Sequence, residues 1–241
     1  MTTITVYHCN NKLQDVAEIC NKLNGKKNSD RWLTAKPNKY NKNEAFILYW
    51  HYEDIEDTIK RVADEDDTTE IVGVLKQNSK DRVLKRTYCY IYLITNTLEV
   101  YTGDYKADDI AKAIGQLLGV DFNPLKLRSE DLQKIYSKHS IELKQVMFKN
   151  IHGLMYEILR GRLLDDNEKF KQYLQSFPDC LRMVSFRPKI RFLKDGQKYQ
   201  VTINGDRGTI KLSGNGVFRW RPRYEVRQLT FLMAATLGLL R

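Results

Sequence analysis

Short segments of alternating apolar and polar side chains fill the last quarter of the chain, between positions 184 and 227. Turn-forming residues separate these segments at positions 195–196, 204–205, 206–208 and 213–216. Side chains alternate across a strand, so Tyr199, Val201 and Ile203 share one face, while the polar residues between them share the other. The pattern predicts an antiparallel β-meander with one apolar face and one polar face.

The polar face of the predicted meander is strongly basic. Its cations are Arg187, Lys189, Arg191, Lys198, Lys211, Arg219, Arg221 and Arg223. Arginine and lysine are the side chains that bind phosphate, and arginines at alternate positions of one strand stand ~6.8 Å apart. We expect this face to contact nucleic-acid phosphates without reading bases. The alternative is an edge strand, marked by Pro222, whose arginines prevent edge-to-edge aggregation.

The net charge of +10 is confined to the same part of the chain. From Cys180 to Arg241 there are 13 Lys and Arg against 3 Asp and Glu, whereas positions 1–179 are balanced at 27 of each. Such asymmetry favours a polyanionic partner, nucleic acid ahead of an anionic membrane surface. A basic surface that serves only solubility is the other interpretation.

The first 178 residues mix helical and strand periods, so the chain as a whole is predicted to be α+β. The predicted strands are 3–7, 45–52, 70–75, 87–94, 98–102 and 141–148, and the predicted helices are 11–23, 55–63, 107–118, 129–136, 154–164 and 168–177. We expect a neutral mixed α/β domain over 1–178, with a subdomain joint near 77–86. A second domain over 179–241 would hold the basic meander, closed by an apolar C-terminal helix.

Positions 26–43 are polar, basic and without a clear period, which predicts a long loop. The loop would give a second nucleic-acid contact in which aromatic rings stack on bases, or it would be a solvated loop anchored by its tryptophan. The residues concerned are Arg31, Trp32, Lys36, Lys39 and Tyr40. Tyr88, Tyr90 and Tyr92 share one face of a predicted strand, where packing beneath a helix is a more common role than base stacking.

One set of residues is compatible with a metal-dependent nuclease. Asp121 precedes the triplet Glu142-Leu143-Lys144 by 21 residues, and two carboxylates with a nearby lysine can hold Mg²⁺ and stabilise an attacked phosphate. The alternative places Glu142 and Lys144 at solvent-facing positions of a strand. Acid-x-Lys triplets are common by chance, so the sequence favours a protein without catalytic activity and without a cofactor.

The remaining features concern location and assembly. Four scattered cysteines without CxxC spacing predict free thiols, and with no signal peptide or apolar run of ~18 residues we expect a cytoplasmic protein. The segment Val226–Leu240 is almost entirely apolar, which predicts a helix that is buried against the rest of the chain or pairs with a second copy in a homodimer.

These observations favour an accessory or architectural nucleic-acid-binding protein, with DNA slightly ahead of RNA. No helix-turn-helix, zinc-finger or RRM signature is present, so sequence-specific recognition is not expected. The alternatives are the magnesium-dependent nuclease and a homo-oligomeric assembly protein with no nucleic-acid role.

Overall fold

The computed structural model describes residues 2–27, 31–59, 65–78, 82–102, 105–151, 153–162, 164–189, 199–214 and 223–239. These residues form antiparallel strands and helices, which confirms the predicted α+β class. The chain forms two compact units: residues 14–90 make the inserted unit, and residues 1–13 with 91–241 make the main unit.

The elements follow one another along the chain as strands and helices of unequal length. The strands are β1 (Thr2–Cys9), β2 (Arg31–Asn38), β3 (Asn41–Asp54), β4 (Arg82–Tyr92), β5 (Thr97–Val100), β6 (Phe122–Pro124), β7 (Ser140–Ile151), β8 (Leu154–Arg160), β9 (Leu181–Pro188), β10 (Gln200–Asn204) and β11 (Thr209–Ser213). The helices are α1 (Val16–Leu23), α2 (Ile55–Ile59), α3 (Glu65–Gln77), α4 (Tyr105–Leu118), α5 (Ser129–His139), α6 (Glu168–Ser176) and α7 (Arg223–Thr236), with a 3₁₀ turn at Leu164–Asp166.

The main unit is built on an antiparallel sheet in the order β5-β1-β11-β10-β9-β7-β8, and β6 pairs with the end of β1. Helices α5, α6 and α7 cover one face of this sheet and form its hydrophobic core with the strands. Helix α4 lies on the other face at β1 and β5, where the Tyr7 hydroxyl donates to Asp108 Oδ1 at 2.6 Å. Among the described residues of the main unit, α4 covers the end of this face at β1 and β5.

Alternation along β10 and β11 produces the two faces that the sequence predicts. Val201, Ile203, Ile210 and Leu212 are fully buried in the core, whereas Lys211 between them is exposed on the other face. The apolar C-terminal segment forms α7, which buries a stripe of its residues in the core of the main unit. The buried apolar residues of α7 are Val226, Leu229, Met233 and Ala234.

The inserted unit contains a hairpin of β2 and β3, and β4 is the strand next to β3. Helix α1 contacts both hairpin strands and covers one of their faces, which buries Leu33, Ala35, Ile47 and Tyr49. Asp15 caps this helix by accepting a hydrogen bond from the backbone N–H of Glu18 at 2.8 Å. One face of the hairpin therefore packs beneath α1 in a hydrophobic core, and the other face points away from α1.

Three predicted elements have a different structure. The loop predicted over 26–43 contains β2 and the start of β3, because Leu33 and Ala35 alternate with polar neighbours and pack beneath α1. The strand predicted over 70–75 belongs to helix α3, in which Val72 is buried. The helix predicted over 154–164 begins as β8, which pairs with β7 along its whole length in a hairpin turning at Asn150 and Gly153, both at positive φ.

The division of the chain also falls at different points from the boundary expected at position 178. Strands β10 and β11 lie between β9 and β1, so the basic segment shares one sheet with the N-terminal strand. The boundary at position 178 was predicted from a change in composition, whereas the extent of the main unit is determined by which strands pair with one another. Within the described ranges no helix is long and apolar enough to cross a bilayer, and the four cysteines are free.

Candidate nucleic-acid interface

A row of polar side chains crosses the main-unit sheet on the face opposite α5, α6 and α7. Strand register places its members opposite one another from β1 to β8: Thr3, Lys211, Thr202, Ser185, Gln145 and Arg160. Ser185 Oγ and Thr202 Oγ1 are 2.7 Å apart, and Arg160 Nε donates to Gln145 Oε1 at 3.0 Å. With strands ~4.8 Å apart the row is ~24 Å long. We call the part of this face between β11 and β8 the polar sheet face.

Charged residues next to this row form a group around one carboxylate. Glu142 on β7 accepts a hydrogen bond from Lys144 Nζ, and its Oε2 lies 3.3 Å from Arg187 Nη1 on β9. The hydrogen bond from Lys144, with the added field of both cations, lowers the pKa of Glu142. The carboxylate therefore stays ionised at neutral pH, and the group keeps a net positive charge.

A second carboxylate is also bound by two cations. Asp206, in the turn between β10 and β11, contacts Lys149 Nζ with one oxygen and lies 3.3 Å from Arg182 Nε with the other. Lys211 and Arg160 are exposed in addition to these groups. Cations therefore outnumber carboxylates across the polar sheet face and its turn, which gives this surface a positive potential.

The predicted contact residues have different positions in the structure. Arg187 and Lys211 lie on the polar sheet face, as the alternation predicts. Lys189 lies at the end of β9, where its backbone N–H and Nζ donate to the carbonyls of His139 and Lys138 at the end of α5. Arg191, Lys198, Arg219 and Arg221 lie outside the described residues.

Arg223 does not lie on a strand with the other predicted cations. It is the first residue of α7, and its Nη1 contacts Oε2 of Glu99, a fully buried residue on β5. Arg227, one turn further along α7, places its guanidinium carbon 3.7 Å from the ring centroid of Tyr92, and burial lowers the pKa of Arg227 to about 10. Both arginines thus interact within the main unit, where Arg223 neutralises a buried carboxylate.

The structure does not assemble the predicted magnesium constellation. Asp121 directly precedes β6, which pairs with the end of β1, whereas Glu142 and Lys144 are on β7. Three strands, β11, β10 and β9, separate β1 from β7, a distance of ~19 Å across the sheet. Within the described parts of the chain, no group of three or more His, Cys, Asp or Glu side chains is placed to hold a metal ion.

The inserted unit presents a face rich in aromatic rings, on the side of β2, β3 and β4 opposite α1. Trp32 on β2 is in register with Trp50 on β3, and their rings stack at a centroid distance of 5.6 Å and an interplanar angle of 9°. The Tyr52 ring packs against the Trp32 ring, with a centroid distance of 6.1 Å. The ring centroid of Phe46 lies 5.9 Å from that of Tyr88 and 5.2 Å from that of Tyr90, both on β4. We call these rings, with Lys36 and Arg86, the aromatic sheet face.

Two exposed cations lie against these rings. Arg86 places its guanidinium carbon 5.4 Å from the Trp50 centroid and 5.0 Å from the Tyr88 centroid, and Lys36 Nζ is 5.6 Å from the Phe46 centroid.

The residues predicted to form a loop contact lie partly on a strand and partly in a turn. Arg31, Trp32 and Lys36 are on β2, and Lys39 and Tyr40 form the turn that joins it to β3, with Tyr40 83% exposed.

Sequence patterns alone missed several members of both faces. Arg160 and Lys149 were not predicted because β8 was assigned to a helix, and the order of strands is not visible in the sequence. Arg86 precedes the tyrosine stripe by two positions, so its alternation with Tyr88 and Tyr90 was the signal that could have identified it. No model of a known protein family matches this chain, and no curated protein matches it.

Proposed function

We propose that this protein binds nucleic acid by contacting the phosphate backbone with the polar sheet face, largely independently of base sequence. The observation that carries the proposal is the surplus of cations there: each of the two carboxylates is bound by two cations, and Lys211 and Arg160 add to them. A surface of this kind attracts a polyanion and releases its counterions on binding.

The uncharged members of the row add direct contacts. Thr202 and Gln145 are partly exposed between Lys211 and Arg160, and hydroxyl and amide groups donate to phosphate oxygens. A row of ~24 Å is long enough to follow several phosphates of one strand, since these repeat every ~3.4 Å along a duplex. Such contacts position a nucleic acid but carry no base sequence information, which supports an accessory or architectural role.

The kind of nucleic acid and the compartment complete the proposal. DNA is slightly favoured over RNA, and the salt experiment below compares both directly. Four free thiols, three of them buried, support a reducing compartment such as the cytoplasm.

The salt dependence of binding tests the polar sheet face. The double variant Lys211→Gln/Arg160→Gln removes two exposed cations from opposite ends of the polar sheet face. Each lost phosphate contact lowers the slope of log affinity against log salt by about one. We therefore expect the slope to fall by about two, measured by fluorescence anisotropy with labelled single- and double-stranded DNA and RNA.

A matched control removes two cations from the helices on the other face of the same sheet. Lys134→Gln/Lys171→Gln has the same net charge as the test variant, and both side chains are exposed on α5 and α6. We expect this control to keep the wild-type slope. Equal slopes for both double variants, or no binding of any nucleic acid at low salt, would contradict the proposal.

A further inference from the structure

The aromatic sheet face is not needed for the core of the inserted unit. Helix α1 already covers the opposite face of the hairpin, where Leu33, Ile47 and Tyr49 are buried. In contrast, Trp32 and Trp50 keep part of their surface exposed, and so do the other rings of this face. A cluster of partly exposed rings on one surface indicates a binding site, because single exposed apolar residues are common but contiguous ones are not.

The rings lie in two series that run across the strands, with Trp32 and Trp50 stacked at 9° and Phe46 tilted at 44° to Tyr88. Arg86, Trp50 and Trp32 follow one another from β4 to β2, and Lys36, Phe46 and Tyr88 form a second series. Planar aromatic rings and guanidinium groups are the surfaces on which unstacked bases pack in proteins that bind single strands. An unpaired base can extend such a stack with the same kind of contact, since every base has a π-face.

The spacing of the rings favours bases that are separated from one another. Along β3 the exposed side of the strand carries Phe46, Trp50 and Tyr52. Alternate positions are ~6.8 Å apart, so Trp50 and Tyr52 are one such step apart, and Phe46 and Trp50 are two steps apart. Bases in a duplex follow one another every ~3.4 Å and have no free face. Rings at two and four times that step match an extended strand with splayed bases rather than a helix.

The charges on this face favour a nucleic acid over other aromatic-binding ligands. Lys36 and Arg86 are exposed and lie directly on the rings, so a base stacked there would bring its phosphate close to a cation. The carboxylates that flank this row, Glu44 and Asp54, lie at the two ends of the ring-bearing part of β3, and Glu44 is buried. A neutral sugar chain or a proline-rich peptide would gain nothing from the two cations.

We propose that the aromatic sheet face binds single-stranded nucleic acid by stacking unpaired bases on its rings, with Lys36 and Arg86 contacting the adjacent phosphates. This proposal specifies single-stranded nucleic acid as the ligand class, and it rests on the proposed function in nucleic-acid binding. The polar sheet face supplies phosphate contacts that any strand can make, whereas the aromatic sheet face requires bases that are free to stack.

Tryptophan fluorescence reports directly on this site. The chain has three tryptophans, and Trp220→Phe leaves only Trp32 and Trp50, both on the aromatic sheet face. In this background we expect oligothymidylate of about 16 nucleotides to quench the emission. An abasic deoxyribose-phosphate strand of equal length carries the same charge without bases, so it should bind more weakly and leave the emission unchanged. A duplex of equal length should also leave it unchanged.

Removing one ring should weaken binding only to strands with bases. Loss of one stacking partner lowers affinity about 5- to 150-fold, so we expect Trp32→Leu to reduce oligothymidylate affinity in this range, without affecting the abasic strand. Trp32→Phe should restore most of the affinity. Tyr52→Leu, in which a 42% exposed ring is removed, is a second test variant for which loss of folding is a smaller risk. Circular dichroism checks the fold of each variant.

The matched control is Tyr224→Leu, which removes a 47% exposed ring from α7, a helix on the other face of the main-unit sheet, and should change nothing. Equal affinity for oligothymidylate and the abasic strand, with no quenching, would overturn the stacking site even if the salt slope still depends on Lys211 and Arg160. Quenching by a proline-rich peptide or an oligosaccharide, but not by oligothymidylate, would also overturn it. If the polar sheet face fails instead, the Lys211→Gln/Arg160→Gln variant keeps wild-type binding while base-dependent quenching persists.

Discussion

Glu99 on β5 is fully buried, and Arg223 at the start of α7 provides the positive charge beside it. Removing one member of a buried ion pair leaves an uncompensated charge, which costs about 3–5 kcal/mol. We therefore expect Arg223→Ala to lower the free energy of unfolding by about this amount in urea denaturation at neutral pH. The salt slope of nucleic-acid binding should stay at its wild-type value. A stable variant with a reduced slope would instead assign Arg223 to the interface.

The same ion pair predicts a pH dependence. Burial raises the pKa of Glu99. The positive charge of Arg223 lowers it by less, so the pKa of Glu99 in the folded protein lies above its ordinary value. Without Arg223 the pKa of Glu99 in the folded state rises further, while the pKa of a glutamate in the unfolded chain is about 4.3. A raised folded-state pKa gives stability that is present at low pH and lost as the pH rises. The Arg223→Ala penalty should therefore grow from about pH 4 to pH 7, and it should stay flat in Glu99→Gln/Arg223→Ala. A penalty that shrinks with pH would contradict this.

At the scale of elements, the turn between β10 and β11 is fixed by close backbone contacts. Gly208 has φ +61°, and a Cβ at this position would lie 2.7 Å from the carbonyl oxygen of Leu125 and 2.9 Å from that of Val6. Left-handed backbone costs an L-residue about 1–2 kcal/mol, and these contacts with rigid backbone add to it. We expect Gly208→Ala to lower the free energy of unfolding by clearly more than this amount, measured by urea denaturation.

Gly153, in the turn between β7 and β8, offers a matched control. Its φ is +75°, but a Cβ there would meet nothing within 4 Å. Gly153→Ala should therefore lose only the left-handed penalty of about 1–2 kcal/mol. Equal losses in the two variants would show that the contacts of Gly208 with β1 and the segment before α5 contribute nothing to stability.

The elements that sequence patterns predicted correctly are those with a strong period of their own. Helix α4 and strand β1 have clear periods, and both lie within about two residues of their predicted ends. Strands β2 and β8 were missed because their structure depends on a partner: β2 pairs with β3 under α1, and β8 pairs with β7. Helix α3 contains a β-branched run, so local propensity pointed to a strand.

At the scale of the whole molecule, both candidate faces depend on strand order, which no local pattern contains. Lys211 and Arg187 were predicted from alternation, but only the sheet brings Arg160 into the same row. Likewise Trp32 and Tyr88 were two separate weak signals in the sequence, and β3 lies between their strands. Residue types could thus be predicted as candidates, whereas their grouping into sites required the register.

The two units provide a way to separate the two modes of binding. The segment that follows β1 is held beside the turn before β5, because the Leu13 N–H donates to Asn96 Oδ1 at 3.3 Å and Asn96 Nδ2 donates to the Asn11 carbonyl at 2.6 Å. Asn96 lies five positions after Ile91, which is at most about 18 Å of chain. A Gly/Ser linker of about eight residues has a similar root-mean-square length, so it can replace residues 14–90 without straining the main unit.

We expect this deletion variant to unfold cooperatively, because the hydrophobic core of the main unit is formed by its own strands and by α5, α6 and α7. It should bind oligothymidylate and the abasic strand with equal affinity in anisotropy measurements, since the polar sheet face is retained and the aromatic sheet face is lost. Its salt slope should still fall when Lys211 and Arg160 are replaced. A folded deletion variant that prefers oligothymidylate would place base stacking in the main unit, and one that binds neither strand would place the phosphate contacts in residues 14–90.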